Sequence, residues 1–211
     1  YDWYDFLIFI NKTPFNIKDP IFGYDISFFV FSLPFLNKLY GFLLGIIIIF
    51  AVITVAFNGI LIISPKRHKD DVNEGFNLGH MDRSIYKEIL RAGGKQLSFL
   101  GGMFFLLLGL GFYLKSFELL YSPRGVSFGA GYADIHVSLP FYYLYIAICV
   151  ITAISFMFFY KGKKHKITIF GPLALIVAIL ASGIIASAVQ NLIVTPNELS
   201  KEEKYLQHNI D

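Results

Sequence analysis

The residues of this sequence that could do chemistry lie in Tyr121–Pro140. Gly125–Gly129 matches the Gly-x-Ser-x-Gly pattern of serine hydrolases, and Asp134 and His136 follow it. In that mechanism the serine, here Ser127, must lie on a turn between a strand and a helix of an α/β sheet. The segment instead joins two long apolar stretches. No sheet is expected there, so we predict no catalytic residue.

Arg124, Asp134 and His136 form a second candidate group in the same segment. An Asp and a His can bind a metal ion, and an Arg can bind an anion. Zinc sites, however, need three or four protein ligands, and nothing in the sequence places His208 beside the other two. The alternative is a tight turn in which these side chains only satisfy the backbone. We keep the three as a candidate external polar cluster and expect no metal ligand and no cofactor-binding residue.

The composition excludes most soluble proteins. Of 211 residues, 55% are hydrophobic and 16% are charged, whereas an average soluble domain has about 45–50% apolar residues with Gly included and about 25% charged residues. The 23 Phe and 13 Tyr exclude a disordered chain, which has few aromatic residues. Cys149 is the single cysteine, so a disulfide framework is excluded. The chain is therefore predicted to be a membrane protein, with the lipid bilayer as its first partner. No sequence pattern typical of nucleic-acid binding is present, so nucleic acid is not expected as a partner.

Four membrane-spanning helices are predicted, because four stretches contain uncharged runs close to the roughly 20 residues that cross a bilayer core. Their ranges are 39–63, 96–120, 139–160 and 167–192. The segments between them are an aromatic external or interfacial segment (1–38), a cytoplasmic loop (64–95), an external loop (121–138), a cytoplasmic hairpin (161–166) and an external tail (193–211). The predicted fold class is an all-α, polytopic transmembrane bundle.

The distribution of Lys and Arg predicts the orientation of these helices. Cytoplasmic loops of membrane proteins carry an excess of basic residues. The segments 64–95 and 161–166 hold eleven of the eighteen Lys and Arg residues, and Lys115 lies at a membrane edge. We therefore expect both ends of the chain and the loop 121–138 to lie outside the cytoplasm.

The cytoplasmic loop 64–95 is predicted to contain an amphipathic helix. Leu78, Met81, Ile85 and Ile89 recur at three- and four-residue spacing among charged residues, which is typical of a helix with one apolar face. We expect this helix to end at Gly93-Gly94.

The N-terminal segment is predicted to contain a short interfacial helix. Asp25 precedes an apolar stretch that begins near Ile26, where an Asp is a good helix N-cap. Pro34 interrupts the stretch, so we expect the helix to feed a kink into the first span.

Small residues predict how the spans pack. In the fourth span such residues recur every four positions, and the first span has a comparable pair. These residues are Ala174, Ala178, Ser182 and Ala186, and Gly41 and Gly45. Small residues allow close approach of helices in lipid, and helix packing is favoured over a pore lining because no Asp, Glu, His, Lys or Arg lies in the middle of any span.

Three segments resemble a known family. They are DPIFGYDISFFVFSLPF (Asp19–Phe35), YSPRGVSFGAGYADIHVSLP (Tyr121–Pro140) and PNELSKEEKYLQHNI (Pro196–Ile210). In this order they are similar to the UPF0182 family of bacterial multi-pass membrane proteins, in which an apolar residue is usual at the position of Ser127. The resemblance implies about seven spans followed by a large domain outside the cytoplasm, with this chain holding the last four spans. The family is uncharacterised, so the resemblance assigns no catalytic residue.

These observations leave three hypotheses for function. The chain is interpreted as the membrane-anchoring part of a larger protein of the bacterial plasma membrane, with the missing spans and the external domain as its partners. The alternative is a transporter or channel for an ion, a lipid or an envelope precursor, completed by the missing spans. An envelope enzyme that acts near Arg124, Asp134 and His136 is the third hypothesis. Whether the protein forms a homo-oligomer stays open.

Overall fold

The computed structural model describes residues 2–63, 83–122, 129–158, 165–198 and 201–203. Within these ranges the chain is helical and contains no strand, apart from an isolated β-bridge between Lys18 and Asp25. Four helical stretches there are long and apolar enough to cross a membrane: Phe28–Ile60, Gly93–Tyr121, Asp134–Phe158 and Ile169–Asn197. The predicted all-α bundle is confirmed, and its composition indicates a membrane protein.

The described residues form five α-helices, and other helical turns lie beside them. The α-helices are α1 (Asp2–Ile10), α2 (Leu33–Ile63), α3 (Arg83–Phe117), α4 (Leu139–Phe158) and α5 (His165–Val189). π-Helical turns lie at Phe28–Ser32, Asp134–Ser138 and Gln190–Val194. 3₁₀ turns lie at Glu118–Tyr121 and Thr195–Asn197.

The helices pack in the order in which they occur in the chain. α3 lies between α2 and α4, and α5 packs on α4. The two terminal members of this row are the least covered: 6% of the membrane-spanning window of α2 is buried, against 28% for the window that contains α4.

The main core lies between α3, α4 and α5. Its buried residues are Phe105, Tyr145, Cys149, Ala153 and Leu175. Glycines bring α3 close to α4, because a Cβ added to Gly109 would lie 3.3 Å from the Cys149 Cβ. Close backbone approach of this kind is how helices associate in lipid, where van der Waals packing rather than the hydrophobic effect is favourable.

A second, aromatic core closes the end of the bundle at which α3 ends and α4 begins. Phe117, which is completely buried, is its centre. The rings of Phe22, Tyr24, Phe28 and Phe29 surround it in largely edge-to-face contacts, with centroids 4.9–5.9 Å from the Phe117 centroid. These distances suit favourable aromatic pairs, so the N-terminal segment is held on the bundle.

The predicted N-cap at Asp25 is confirmed. Helical backbone begins at Ile26, and the Asp25 carboxylate accepts the backbone N–H of Ser27 at 2.8 Å. The same carboxylate accepts the N–H groups of Phe15 and Asn16, at 3.1 and 2.8 Å. Hydrogen bonds from the side chain and the backbone of Ser27, followed by those from Phe15 and Asn16, lower the pKa of Asp25 from 3.8 to about 2.

The interfacial helix predicted to begin near Ile26 is not separate from the first span. Helical backbone runs without a break from Ile26 through Pro34 to Ile63, whereas we expected a short helix and then a span. The π-helical turn Phe28–Ser32 comes directly before α2. A proline clashes with the carbonyl four residues before it, and a π-turn changes the hydrogen-bonding pattern at that point, so the helix can continue past Pro34.

The prediction that Gly93-Gly94 end the amphipathic helix is wrong. α3 begins at Arg83 and continues through both glycines into the span. Gly93 is buried against α2, and a Cβ there would lie 2.6 Å from the Asn58 Cγ. Gly93 therefore allows α3 and α2 to pack closely and does not end the helix. Leu78 and Met81 of the predicted helix lie outside the described residues.

The small-residue stripe of α5 faces α4 over most of its length. The Tyr145 hydroxyl donates to Ser182 Oγ, Ala178 packs on the main core, and Ala186 is buried. Ala174 is exposed, and the close approach at that level is made by Gly171, where an added Cβ would lie 2.9 Å from the Thr152 Cβ. Packing is thus confirmed for this face, with Gly171 in place of Ala174.

Candidate functional site

The segment that enters α4 folds back on the end of α3. Gly129, Ala130 and Gly131 are buried, and the Gly129 N–H donates to the Ser122 carbonyl at 3.1 Å. Gly129 has φ +139°, a backbone conformation that side chains disfavour and glycine adopts readily. The segment can therefore turn tightly before helical backbone begins at Tyr132.

Glu202, from the tail that follows α5, caps this helix start. The Tyr132 N–H donates to Glu202 Oε1 at 3.3 Å, and the Glu202 side chain is only 3% exposed. The first N–H groups of a helix have no partner within it and favour a negative group nearby. Gly131 lets the carboxylate come this close, since a Cβ there would lie 3.1 Å from Oε1 and 3.2 Å from Oε2.

The neighbouring tail residue contacts the ring of the same tyrosine. Lys201 Nζ lies 5.2 Å from the centroid of the Tyr132 ring, within the range of a cation–π interaction. Residues Gly131, Tyr132, Lys201 and Glu202 are called the loop–tail clamp below. The clamp joins the segment before α4 to the segment after α5 through the hydrogen bond from the Tyr132 N–H to the Glu202 carboxylate and through the contact of Lys201 with the Tyr132 ring.

The structure does not bring the predicted site residues Asp134 and His136 to one side. Asp134 is 1% exposed, and its Oδ1 accepts the Ser138 hydroxyl at 3.4 Å. His136 is exposed, its Nδ1 lies 3.1 Å from the Tyr132 carbonyl oxygen, and its ring stacks on Tyr132 with centroids 4.2 Å apart. Positions two apart on a helical turn point in different directions, so one side chain faces the core and the other faces outward.

The remaining candidates of the sequence lie outside the described residues. These are Arg124, Ser127 and His208. Within the part of the chain that the structure describes, no group of three or more His, Cys, Asp or Glu side chains is arranged to hold a metal ion. The described geometry around Asp134 and His136 is that of a packed helix start.

Sequence reasoning missed Lys201, Glu202 and Tyr132. A glutamate in a charged tail is normally exposed, and the two residues that form the hydrogen bond are 70 positions apart. The single local hint is Gly131, directly before the helix start, because a glycine there permits close approach of another group.

Comparisons with known proteins agree on one family. The family model described as "Uncharacterised protein family (UPF0182)" matches residues 1–211. A UPF0182 protein of Clostridium acetobutylicum is 37% identical over 209 residues, and one of Alkaliphilus metalliredigens is 33% identical over 208 residues. Each alignment covers 99% of this chain but only 23% and 22% of the respective relative. The chain thus spans less than a quarter of the length of the curated relatives it matches. No solved structure matches it.

Proposed function

Since this chain belongs to the uncharacterised UPF0182 family, we propose that it is the membrane-anchoring part of a longer cell-envelope protein. In this proposal the rest of that protein includes a large domain outside the cytoplasm. The loop–tail clamp fixes the chain at the point where it leaves the membrane toward that domain. The membrane is the bacterial plasma membrane.

The capping of Tyr132 by Glu202 is the observation that carries the proposal. Beyond α5 the chain continues through a π-turn and a 3₁₀ turn and then returns to the start of α4. A flexible connection after the last span would let a following domain move freely. A clamped connection instead holds the next part of the chain in a defined position on the bundle, which is what a rigid anchor requires.

The polar side chains inside the spans support anchoring, because they bond within the bundle. Gln96 Nε2 of α3 donates to Thr54 Oγ1 of α2 at 3.1 Å, and the Tyr145 hydroxyl of α4 donates to Ser182 Oγ of α5. Polar groups in lipid stabilise helix association in this way. The middle of each span has no Asp, Glu, His, Lys or Arg, although such residues are typical of proton-coupled carriers and voltage sensors.

The anchoring proposal predicts that breaking the clamp loosens the external domain. In the full-length protein, Glu202→Ala removes the cap, whereas Glu203→Ala changes the neighbouring glutamate, which is exposed. We expect the spin-label distance distribution between α4 and the external domain to broaden for Glu202→Ala and to stay unchanged for Glu203→Ala. The same narrow distribution in both variants would show that the clamp does not hold the domain.

A second candidate function is a transporter or channel for an ion, a lipid or an envelope precursor. The observation that favours it is the small buried share of α2, 6% of its membrane-spanning window, which leaves room for further helices around a shared pathway. Solute flux in proteoliposomes with the full-length protein tests it. Flux that is lost when a polar residue of a span, such as Gln96, is replaced would support transport over anchoring. No flux across a broad panel would contradict it.

A further inference from the structure

Two lines of mostly apolar residues, called seams below, run along different faces of α2. One seam faces α3: Thr54 on it is buried and bonded to Gln96, and Asn58 contacts Gly93. The residues of this first seam are Tyr40, Leu44, Ile47, Ala51, Thr54 and Asn58. A second seam has the same alternating three- and four-residue spacing, which keeps side chains on one helix face. Its residues are Phe35, Lys38, Phe42, Gly45, Ile49, Val52, Ala56 and Gly59.

α1 already occupies one end of the second seam. The rings of Phe9 and Phe35 stack with centroids 4.8 Å apart, and Lys38 forms an ion pair with Asp5. Lys12, two residues beyond α1, donates to Ser32 Oγ at 2.7 Å. An interface between a helix and this face of α2 is therefore present in the structure.

The contacts fix the direction and register of that interface. Phe9 of α1 contacts Phe35 of α2, whereas Asp5, which lies earlier in α1, contacts Lys38, which lies later in α2. The two helices are therefore antiparallel. At this register, one further turn brings the start of α1 level with Phe42, and the seam continues from there to Gly59. That distance is about 25 Å at 1.5 Å per residue, close to the thickness of a bilayer core.

The part of the seam beyond Lys38 has no cover among the described residues. Phe42 is 67% exposed and Val52 is 62% exposed, and a Cβ added to Gly45 or Gly59 would meet no atom within 4 Å. Glycine destabilises a helix relative to alanine. That cost is offset where a glycine lets another helix approach closely in lipid.

We propose that the uncovered seam binds an apolar transmembrane helix that is continuous with α1 in the longer protein. This helix runs antiparallel to α2 and extends the α1–α2 interface across the membrane. The proposal goes beyond anchoring, since it assigns a face of α2 to a specific partner, and it holds whether the assembled protein anchors a domain or transports a solute.

Two nearby positions of α2 offer a matched test. Val52 belongs to the second seam, and Phe50, which is 55% exposed, lies two residues earlier and about 160° around the helix. In the full-length protein with Cys149→Ser, a nitroxide label is attached to Val52→Cys or Phe50→Cys, and its collision rate with oxygen is measured in proteoliposomes. We expect a several-fold lower rate at position 52. Equal rates would mean that lipid covers both positions, and the proposal would be overturned.

Photo-crosslinking identifies the occupant. Phe42 of the second seam is replaced by p-benzoylphenylalanine, and Phe50, which lies off both seams and is also exposed, serves as the control. We expect position 42 to crosslink to the part of the same polypeptide that precedes Tyr1, and position 50 to crosslink to lipid. A crosslink from position 42 to lipid alone, or to α2 of a second copy, would contradict the assignment.

Discussion

Two carboxylates, Asp25 and Glu202, accept backbone N–H groups at the end of the bundle where α4 begins. Each caps the start of a helix, Asp25 from the residue directly before it and Glu202 from a distant part of the chain. A carboxylate near the positive end of a helix is stabilising. At the scale of single residues, this end of the molecule is thus held by acidic side chains on backbone donors.

The Asp25 carboxylate gives a prediction about pH. Its folded pKa of about 2 lies below the ordinary value of 3.8, so its contribution to stability is complete above that ordinary value and is lost as the pH falls toward 2. Asp25→Ala removes this contribution. At neutral pH we expect faster amide hydrogen exchange at Phe15, Asn16 and Ser27 in the variant, and the difference from the unchanged protein should shrink below about pH 4.

Asp19→Ala is the control for that experiment. The Asp19 carboxylate accepts the N–H groups of Ile21 and Phe22, at 3.0 and 2.6 Å, so its loss should expose those two amides and leave Phe15 and Asn16 protected. Equal protection of Phe15 and Asn16 with and without the Asp25 side chain would mean that other contacts hold the N-terminal segment.

At the scale of the helices, glycines determine how closely α-helices approach. α5 contains a matched pair: a Cβ at Gly171 would lie 2.9 Å from the Thr152 Cβ, and one at Gly183 would meet nothing within 4 Å. We expect Gly171→Ala to destabilise the protein by about 1–3 kcal/mol through overpacking. Gly183→Ala should be neutral or stabilising by up to about 1 kcal/mol, because alanine favours the helix. Unfolding of the full-length protein in mixed micelles measures both, and equal stability of the variants would contradict this account of the α4–α5 contact.

The same glycines explain what the sequence could and could not predict. Long uncharged runs are a local property, so the four apolar helices were predictable. The role of Gly93 was not predictable, because glycine is typical both of helix ends and of close contacts between helices. Only the position of the Asn58 side chain next to Gly93 distinguishes the two roles. The burial of Glu202 was even less predictable, since it depends on Tyr132, a partner 70 positions away in the sequence. The candidate cluster of Arg124, Asp134 and His136 rests on closeness in the sequence, and the helical turn that directs Asp134 inward and His136 outward could not be predicted from composition.

At the scale of the whole molecule, the orientation in the membrane is a prediction from charge. Eleven of the eighteen Lys and Arg residues fall in 64–95 and 161–166, so the positive-inside rule predicts that these segments lie in the cytoplasm. In a full-length protein with Cys149→Ser, we expect Ser200→Cys to react with an impermeant thiol reagent added to intact cells. Lys164→Cys should react only after the membrane is opened. The reverse pattern would invert the proposed topology.

The row in which each helix packs on the next one along the chain has a consequence for biogenesis. Contacts between sequence neighbours form quickly, since little loop-closure entropy opposes them. Each new span can therefore pack on the preceding span during translation. The clamp is different, because Glu202 is synthesised long after Tyr132. We expect its closure to be the last step of assembly for this part of the chain, so an unclamped tail would mark a bundle that has inserted but not yet matured.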